Sequence, residues 1–147
     1  MLIPKTAEYA LRAVVWLADR PGPSAPREEI ARGTHVPPGY LSKVLNALRR
    51  AGILASLPGR GGGFTLTRSP AAISVLEVVN AVSPMQRIRT CPLGLESHGE
   101  RLCALHHRLD LALASVEAAF ANSSIADILD HPTESPALCE LQGSAGT

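Results

Sequence analysis

The sequence contains few aromatic side chains, few cysteines and no apolar run long enough to cross a bilayer. Phe, Trp and Tyr make up 3% of its 147 residues, so a core has to come from the aliphatic side chains that bring the hydrophobic fraction to 46%. A fraction of that size excludes wholesale disorder. A spanning helix is excluded as well, because it needs about 18 consecutive apolar residues. The stretch MLIPKTAEYALRAVVWLADR lacks the basic start and small-residue cleavage site of an export signal, which predicts a cytoplasmic protein with no membrane partner.

The sequence has only three cysteines, and this number limits the chemistry. In a chain without an export signal, three cysteines argue against a disulfide framework and favour a metal site, redox chemistry or buried thiols. No motif places a nucleophile beside a base, so we do not expect an enzyme.

Charge is distributed unevenly along the chain. Residues 1–70 hold ten Lys and Arg against four Asp and Glu, a net charge of +6. Residues 71–147 hold four against nine, a net charge of −5. A basic first half joined to an acidic second half indicates a module that binds a polyanion, although chance segregation would look the same.

Residues 37–68, PPGYLSKVLNALRRAGILASLPGRGGGFTLTR, combine an amphipathic helix with a glycine-rich hairpin. The apolar positions at i, i+3, i+4 and i+7 form one face: Leu41, Val44, Leu45 and Leu48. The other face carries groups that can contact phosphates or base edges: Ser42, Lys43, Asn46 and Arg50, with Tyr40 and Arg49 at its edges. Arg49 and Arg50 are equally compatible with a solvated helix end. A helix followed directly by a basic hairpin is typical of a winged helix-turn-helix.

The other periodicities predict a mostly α-helical fold with this small β-hairpin as its wing. Helices are expected over residues 6–19, 27–33, 103–122 and 124–129, another behind the capping box SVLE at 74–77, and strands over 53–57 and 64–68. The expected units are a winged helix-turn-helix domain with its supporting helix (1–82), a cysteine-containing loop (83–102), a dimerisation helix with a short C-terminal helix (103–130) and a flexible tail (131–147).

The expectation of a dimer comes from the long helix. Its apolar residues recur at spacings of four, four, three and four: Leu105, Leu109, Leu113, Val116 and Phe120. Eighteen residues span about 27 Å, which is long for a domain of this size, so the stripe needs a cover. A second copy of the chain is one cover, and packing back on its own domain is the alternative.

In this order the motifs resemble the IscR/NsrR-type transcription regulators, the Rrf-two family. The matching segments are KTAEYALRAVVWLA, REEIA, PGYLSKVLNALRRAGIL, GRGGGFTLTR, ISVLEVVNAV and SIADIL. The resemblance implies a homodimer that binds a palindromic operator in double-stranded DNA, with the third helix in the major groove and the wing beside it. It places DNA contacts at Tyr40, Ser42, Lys43 and Asn46 on the helix, and at Arg60, Gly61, Gly62 and Gly63 in the wing.

The resemblance also implies an iron–sulfur cluster held by three cysteines in the loop before the long helix. Cys91 and Cys103 occupy the first and third of these places, but the middle place, near Ser97, has no thiol. Imidazole can replace a thiolate ligand in some clusters. The candidates to complete the set are His98, His106 and Glu8, the last of which would serve the partner subunit's cluster. The expected cluster is of the two-iron two-sulfur type.

Other hypotheses stay open at this point. Cys91 and Cys103 could form a reversible thiol switch without a cluster, or the loop could be a degenerate sensor. A structural zinc site matches no common spacing. Cys139 is interpreted as an uninvolved thiol, and His35 and His131 as ordinary loop or helix-end histidines. A non-regulatory architectural DNA-binding protein, or a redox partner that carries a cluster, is the alternative of another class.

Overall fold

The computed structural model describes residues 3–20, 22–98, 101–135 and 137–138. Its order is α1 (Lys5–Asp19), α2 (Arg27–Thr34), α3 (Pro38–Arg50), β1 (Leu54–Leu57), β2 (Gly63–Leu66), α4 (Val75–Val82), α5 (Ala104–Ala121) and α6 (Ile125–Leu129). Two short 3-10 helices, Pro70–Ala72 and Glu96–His98, lie in the connections. The mostly helical fold with one small hairpin is the fold class that the sequence predicts.

Helix α1 is the centre of the domain. It contacts α2, α3, α4, α6 and β2. Alanines at 7, 10 and 13 are fully buried and allow these neighbours to approach the α1 backbone closely. Val14 and Leu17 continue the same face into the core.

Helices α2 and α3 form the expected helix-turn-helix. The turn begins at His35, which adopts a left-handed conformation with φ 54°, and Val36 is buried beneath it. Helix α3 buries the four predicted side chains at 41, 44, 45 and 48. It ends as predicted before Gly52, whose φ of 79° places it at the C′ position.

The hairpin has the predicted position, but β1 begins one residue later than predicted, and β2 begins one residue earlier and ends two residues earlier. Leu54 pairs with Leu66 and Leu57 with Gly63. Thr67 lies just beyond the strand, where its N–H donates to the Ile53 carbonyl at 3.1 Å and its hydroxyl to the Gly52 carbonyl at 2.5 Å. On its other edge β2 pairs with Ala25, which fixes the wing to the connection between α1 and α2.

Helices α4 and α6 begin with matching capping boxes. Ser74 accepts from the Glu77 N–H and Ser124 from the Asp127 N–H, and each acidic side chain accepts from the backbone of its serine. An isolated β-bridge joins Ser74 to Ser124, so the two helix starts are held side by side. The hydrogen bond from its own serine backbone is the main cause of the lowered pKa of each carboxyl.

Helix α5 has no buried residue. At its C-terminal end Phe120 packs against the small cluster of Ala7, Val75 and Val79, so this end of the stripe covers its own domain. At the other end Leu105 is 63% exposed and Leu109 47% exposed. The alternative, in which the whole stripe packs on its own domain, therefore holds only at the C-terminal end of α5.

The described part of the predicted tail is residues 131–135 and 137–138, and Ala137 and Leu138 pack against the core. Cys139 lies outside the described residues. None of the described helices combines the length and the hydropathy that a bilayer crossing requires.

Candidate nucleic-acid interface and cysteine site

The outer face of α3 is exposed while its inner face is sealed in the core. Its exposed side chains form a polar and basic surface: Tyr40, Lys43, Asn46, Arg49 and Arg50. All five are positions that the sequence places on this side of the helix. The surface can donate to phosphates through its cations and to base edges through the amide.

Tyr40 is oriented by helix α1. Its ring meets the Tyr9 ring edge-on, with centroids 5.8 Å apart. The Arg12 guanidinium lies 5.3 Å from the centroid of the Tyr9 ring on the same helix. The start of α3 thus contacts α1 through this pair of rings.

The Ser42 hydroxyl, a predicted DNA contact, already forms two hydrogen bonds within the protein. Its hydroxyl accepts from Arg27 Nη1 at 3.1 Å and donates to the Pro38 carbonyl at 3.2 Å. Arg27, at the first position of α2, also pairs with Glu28 at 3.1 Å. Sequence reasoning missed Arg27, although a basic residue at the start of the first helix of the motif is the signal that could have found it. Arg27 adds an exposed cation of α2 to the three on α3.

The wing presents Arg60 at an exposed tip. Ser24 holds this tip from behind by donating to the Gly61 carbonyl at 2.9 Å. A Cβ at Gly62 would lie 2.3 Å from the Leu57 carbonyl oxygen, and one at Gly63 would lie 2.1 Å from the Ala25 carbonyl oxygen. Gly62 is therefore required by the turn itself, and Gly63 by the close approach of Ala25, before any contact with DNA is considered.

Cys103 and His106 are brought together at the start of α5. Cys103 is the N-cap residue, and its Sγ lies 3.3 Å from His106 Nδ1. Both side chains are partly buried, whereas the neighbouring His107 is exposed. A thiolate and an imidazole at this separation are two donors of the types that iron–sulfur clusters and zinc accept.

The other predicted ligands are not gathered around this pair. Glu8 forms a two-oxygen ion pair with Arg12, the shorter contact being 2.7 Å. Cys91 is partly buried in the irregular segment, where its carbonyl accepts from the Gly94 N–H at 3.0 Å. The side chain of His98 lies outside the described residues. Within the described part of the chain, no three His, Cys, Asp or Glu side chains are close enough to hold one metal ion. The donor types fit a cluster, but the described residues of one chain supply only part of a ligand set.

A profile of the family Rrf2, described as "Iron-dependent Transcriptional regulator", matches residues 3–131. The chain belongs to the Rrf2 family. This confirms the resemblance to the Rrf-two regulators that the sequence motifs indicate. Family membership makes the chain a transcriptional regulator with a DNA-binding fold, and not an enzyme.

Individual members of the Rrf2 family are similar over most of their length. An HTH-type transcriptional regulator of Aquifex aeolicus is 26% identical over 133 residues, which cover 88% of this chain and 92% of that protein. The HTH-type regulator Rv1287 of Mycobacterium tuberculosis is 29% identical over 130 residues, 87% of this chain and 81% of that protein.

Solved structures of Rrf2-type regulators share the fold. CymR, the global cysteine regulator of B. subtilis, superposes with a TM-score of 0.73 at 20% identity, covering 89% of this chain and 98% of CymR. IscR of T. potens superposes with a TM-score of 0.72 at 22% identity, covering 90% of this chain and 88% of IscR. At these identities the likeness establishes the winged helix-turn-helix architecture.

Proposed function

We propose that this chain is a homodimeric, cytoplasmic transcription regulator whose affinity for a palindromic operator is switched at the segment that carries Cys91 and Cys103. The observation that carries the proposal is the Cys103–His106 pair at the start of α5, in a chain that exposes the polar and basic side of α3. The pair lies outside the core of the winged helix-turn-helix domain, residues 1–82, which we call the reader. A change at the pair can therefore move α5 without unfolding the reader.

The DNA contacts of this proposal are the exposed groups of α3 and the wing. Lys43 and Arg60 would neutralise phosphates, and Asn46 can read an adenine edge through its amide. Tyr40 and Arg50 flank them on the same exposed face. Ser42, Gly61 and Gly62 contribute by shape, because their contacts hold α3 and the wing tip in place.

The homodimer is supported by α5. Its N-terminal half exposes Leu105 and Leu109 on one stripe. A second copy packed about a two-fold axis would cover both stripes at once, and it would also bring the DNA-binding faces of two subunits into the symmetry that a palindrome requires.

In the first form of the switch, Cys103 and His106 are two ligands of an iron–sulfur cluster. The description of the family as iron-dependent supports this form. Cys91, His98 and a partner subunit's copy of Glu8 are the proposed sources of the other ligands. Such a cluster would supply one-electron redox chemistry and sensitivity to oxidants.

A second form is favoured by the incomplete ligand set in the described part of one chain. Here Cys91 and Cys103 act as a reversible dithiol–disulfide pair and no cluster is needed. The two forms predict different spectra for the same protein.

The deciding experiment is the absorption spectrum of anaerobically purified protein, with counts of iron and acid-labile sulfide. The cluster form predicts a visible charge-transfer band with about two iron and two sulfide per chain, lost in Cys103→Ser and retained in the matched variant Cys139→Ser. A colourless, iron-free product after reconstitution would contradict the cluster form and leave the dithiol form.

DNA binding is tested in parallel by selecting operators from a random duplex library. Lys43→Ala and Arg60→Ala should each weaken operator binding by about tenfold and lower the salt slope by about one unit. Arg108→Ala, on an exposed part of α5, should do neither. Binding that is steep in salt but indifferent to sequence would contradict a regulator and support the architectural alternative.

A further inference from the structure

Arg87 connects the irregular segment to helix α5 through a group of ion pairs. Its Nε and Nη2 donate to the two carboxylate oxygens of Asp110 at 2.7 and 2.6 Å, and its Nη1 donates to Glu117 at 3.3 Å. The Ile88 N–H donates to Asp110 at 2.9 Å. The Arg87 side chain is 23% exposed and that of Asp110 14% exposed, so these pairs are more shielded from solvent than ordinary surface ion pairs. We call this group the Arg87 clasp.

The clasp lies on the same side of α5 as His106. His106, Asp110 and Glu117 are separated by four and seven residues, which keeps them within about 40° of one another around the helix. Arg87 therefore lies along the face that leads to the Cys103–His106 pair.

The segment runs along this face towards the N-terminal end of α5. Met85 and Phe120 pack against one apolar cluster, near the C-terminal end of the helix. Arg87 and Ile88 then meet Asp110, ten residues closer to the N-terminus of α5 than Phe120. These two points of contact show that the segment runs antiparallel to α5.

The chain from Arg87 to Cys91 is long enough to match the part of α5 between Asp110 and Cys103. Four residues separate Arg87 from Cys91, and an extended chain of that length spans about 13 Å. Seven residues separate Asp110 from Cys103, a rise of about 10 Å along the helix. A segment that is fixed at Arg87 can thus deliver Cys91 to the end of α5 at which Cys103 meets His106.

We propose that Arg87 is the positioning residue of the cysteine site: by clasping Asp110 and Glu117 it sets the register of residues 84–90 on α5 and keeps Cys91 within reach of Cys103. The inference rests on the proposed function only in treating these two cysteines as the responsive pair. Nothing in the clasp itself requires a cluster, so it can be tested in reduced protein without iron.

The test is the rate at which diamide closes the Cys91–Cys103 disulfide in full-length Cys139→Ser protein. The two thiols lose their hydrogens, an S–S bond forms, and the N=N bond of diamide takes up the two electrons and two protons to become a hydrazine. Non-reducing electrophoresis separates the intramolecular disulfide from a cross-linked dimer, and peptide mass spectrometry identifies the cysteines.

Arg87→Met should slow intramolecular closure by about tenfold or more, because it lowers the effective concentration of one thiol at the other. Arg87→Lys keeps the charge but loses the two-pronged geometry, and should lie between Arg87→Met and the parent. Glu117→Gln should have a smaller effect than Arg87→Met, since its contact is the longest of the clasp. The matched control Arg108→Met removes an exposed arginine from α5 and should leave the rate unchanged.

A second measurement separates positioning from loss of structure. Amide hydrogen exchange of Ile88 should accelerate in Arg87→Met, while the alkylation rate of Cys103 and the far-ultraviolet circular dichroism spectrum stay close to those of the Arg108→Met control. If Arg87→Met fails to fold, the comparison of Arg87→Lys with Arg108→Met decides. Equal closure rates in Arg87→Met and Arg108→Met would overturn the proposal. Fast closure in the parent without any effect of the disulfide on operator binding would overturn the proposed switch and leave the clasp intact.

Discussion

Helices α1 and α5 are the two longest of the described helices, yet they have opposite environments. Helix α1 has 15 residues, of which seven are buried by its own domain. Helix α5 has 18 residues and buries none of them. The difference lies in their neighbours, because α1 is surrounded by α2, α3, α4, α6 and β2 whereas the main contacts of α5 are with α4. The comparison indicates that the reader buries its core within one chain, whereas the apolar side chains of α5 need a second molecule to bury them.

The largest expected effect is the difference in the free energy of unfolding between a substitution in the core of the reader and one on α5. Leu45→Ala removes a fully buried side chain and should lower the free energy of unfolding by about 2–5 kcal/mol. Leu111→Ala, at a position that is 46% exposed, should change it by no more than about 0.5 kcal/mol. Urea unfolding of both variants measures the difference. Similar losses would show that α5 belongs to the same core.

The next prediction concerns association through the stripe of α5. Leu109 and Leu111 are 47% and 46% exposed, but they point about 200° apart around the helix. Leu109→Glu should raise the dimer dissociation constant by about 100-fold or more, because the charge enters a two-fold interface twice. Leu111→Glu is the matched control and should leave it unchanged. Sedimentation of the two variants decides; equal effects would contradict an interface on this stripe.

A smaller effect is expected at the junction where the chain returns from α5 to the reader. Ser124→Ala removes the acceptor of the Asp127 N–H, which is 3.0 Å from the serine oxygen, and should cost about 1 kcal/mol. Ser115→Ala on α5 removes a hydroxyl that donates only to the carbonyl of Leu111 at 3.0 Å, and should be nearly neutral. Thermal unfolding measures both. A neutral Ser124→Ala would show that the cap adds nothing to the packing of α6 against the core, in which Ile125 is fully buried.

The smallest expected effect is on the pH dependence of the Arg87 clasp. Hydrogen bonds from Arg87, followed by the Ile88 N–H and the nearby charge of Arg89, lower the pKa of Asp110 from 3.8 to about 2. Since the folded pKa is the lower one, the contribution of this pair to stability is complete above pH 3.8 and is lost as the pH falls through about 2.

The carboxyl carbon of Asp110, followed by NMR as the pH is lowered, reports this value directly. In Arg87→Met the midpoint should return towards 3.8, while Arg108→Met should leave it low. A normal Asp110 pKa in the parent would mean that the clasp is open in solution.

The elements of the reader were predictable because their signals are local. The period of α3, the proline and glycine at its two ends, the hairpin glycines and both capping boxes act within a few residues of one another. Side chains that cross between segments were not predictable. Ser24 meets Gly61, Arg27 meets Ser42, and Arg87 meets Asp110 across an irregular stretch, and no periodicity encodes such pairs. The sequence also did not show which end of the α5 stripe would pack back, since Phe120 and Leu105 lie on the same stripe and differ only in what folds beside them.

The most direct test of the whole account is operator affinity in two redox states. The parent should bind its selected operator about tenfold more tightly in one state than in the other, a typical coupling between two sites. Cys103→Ser should bind with a single affinity in both states, and Arg60→Ala should bind weakly in both. Equal affinity of the parent in the reduced and oxidised states would contradict the claim that the cysteine segment controls the reader.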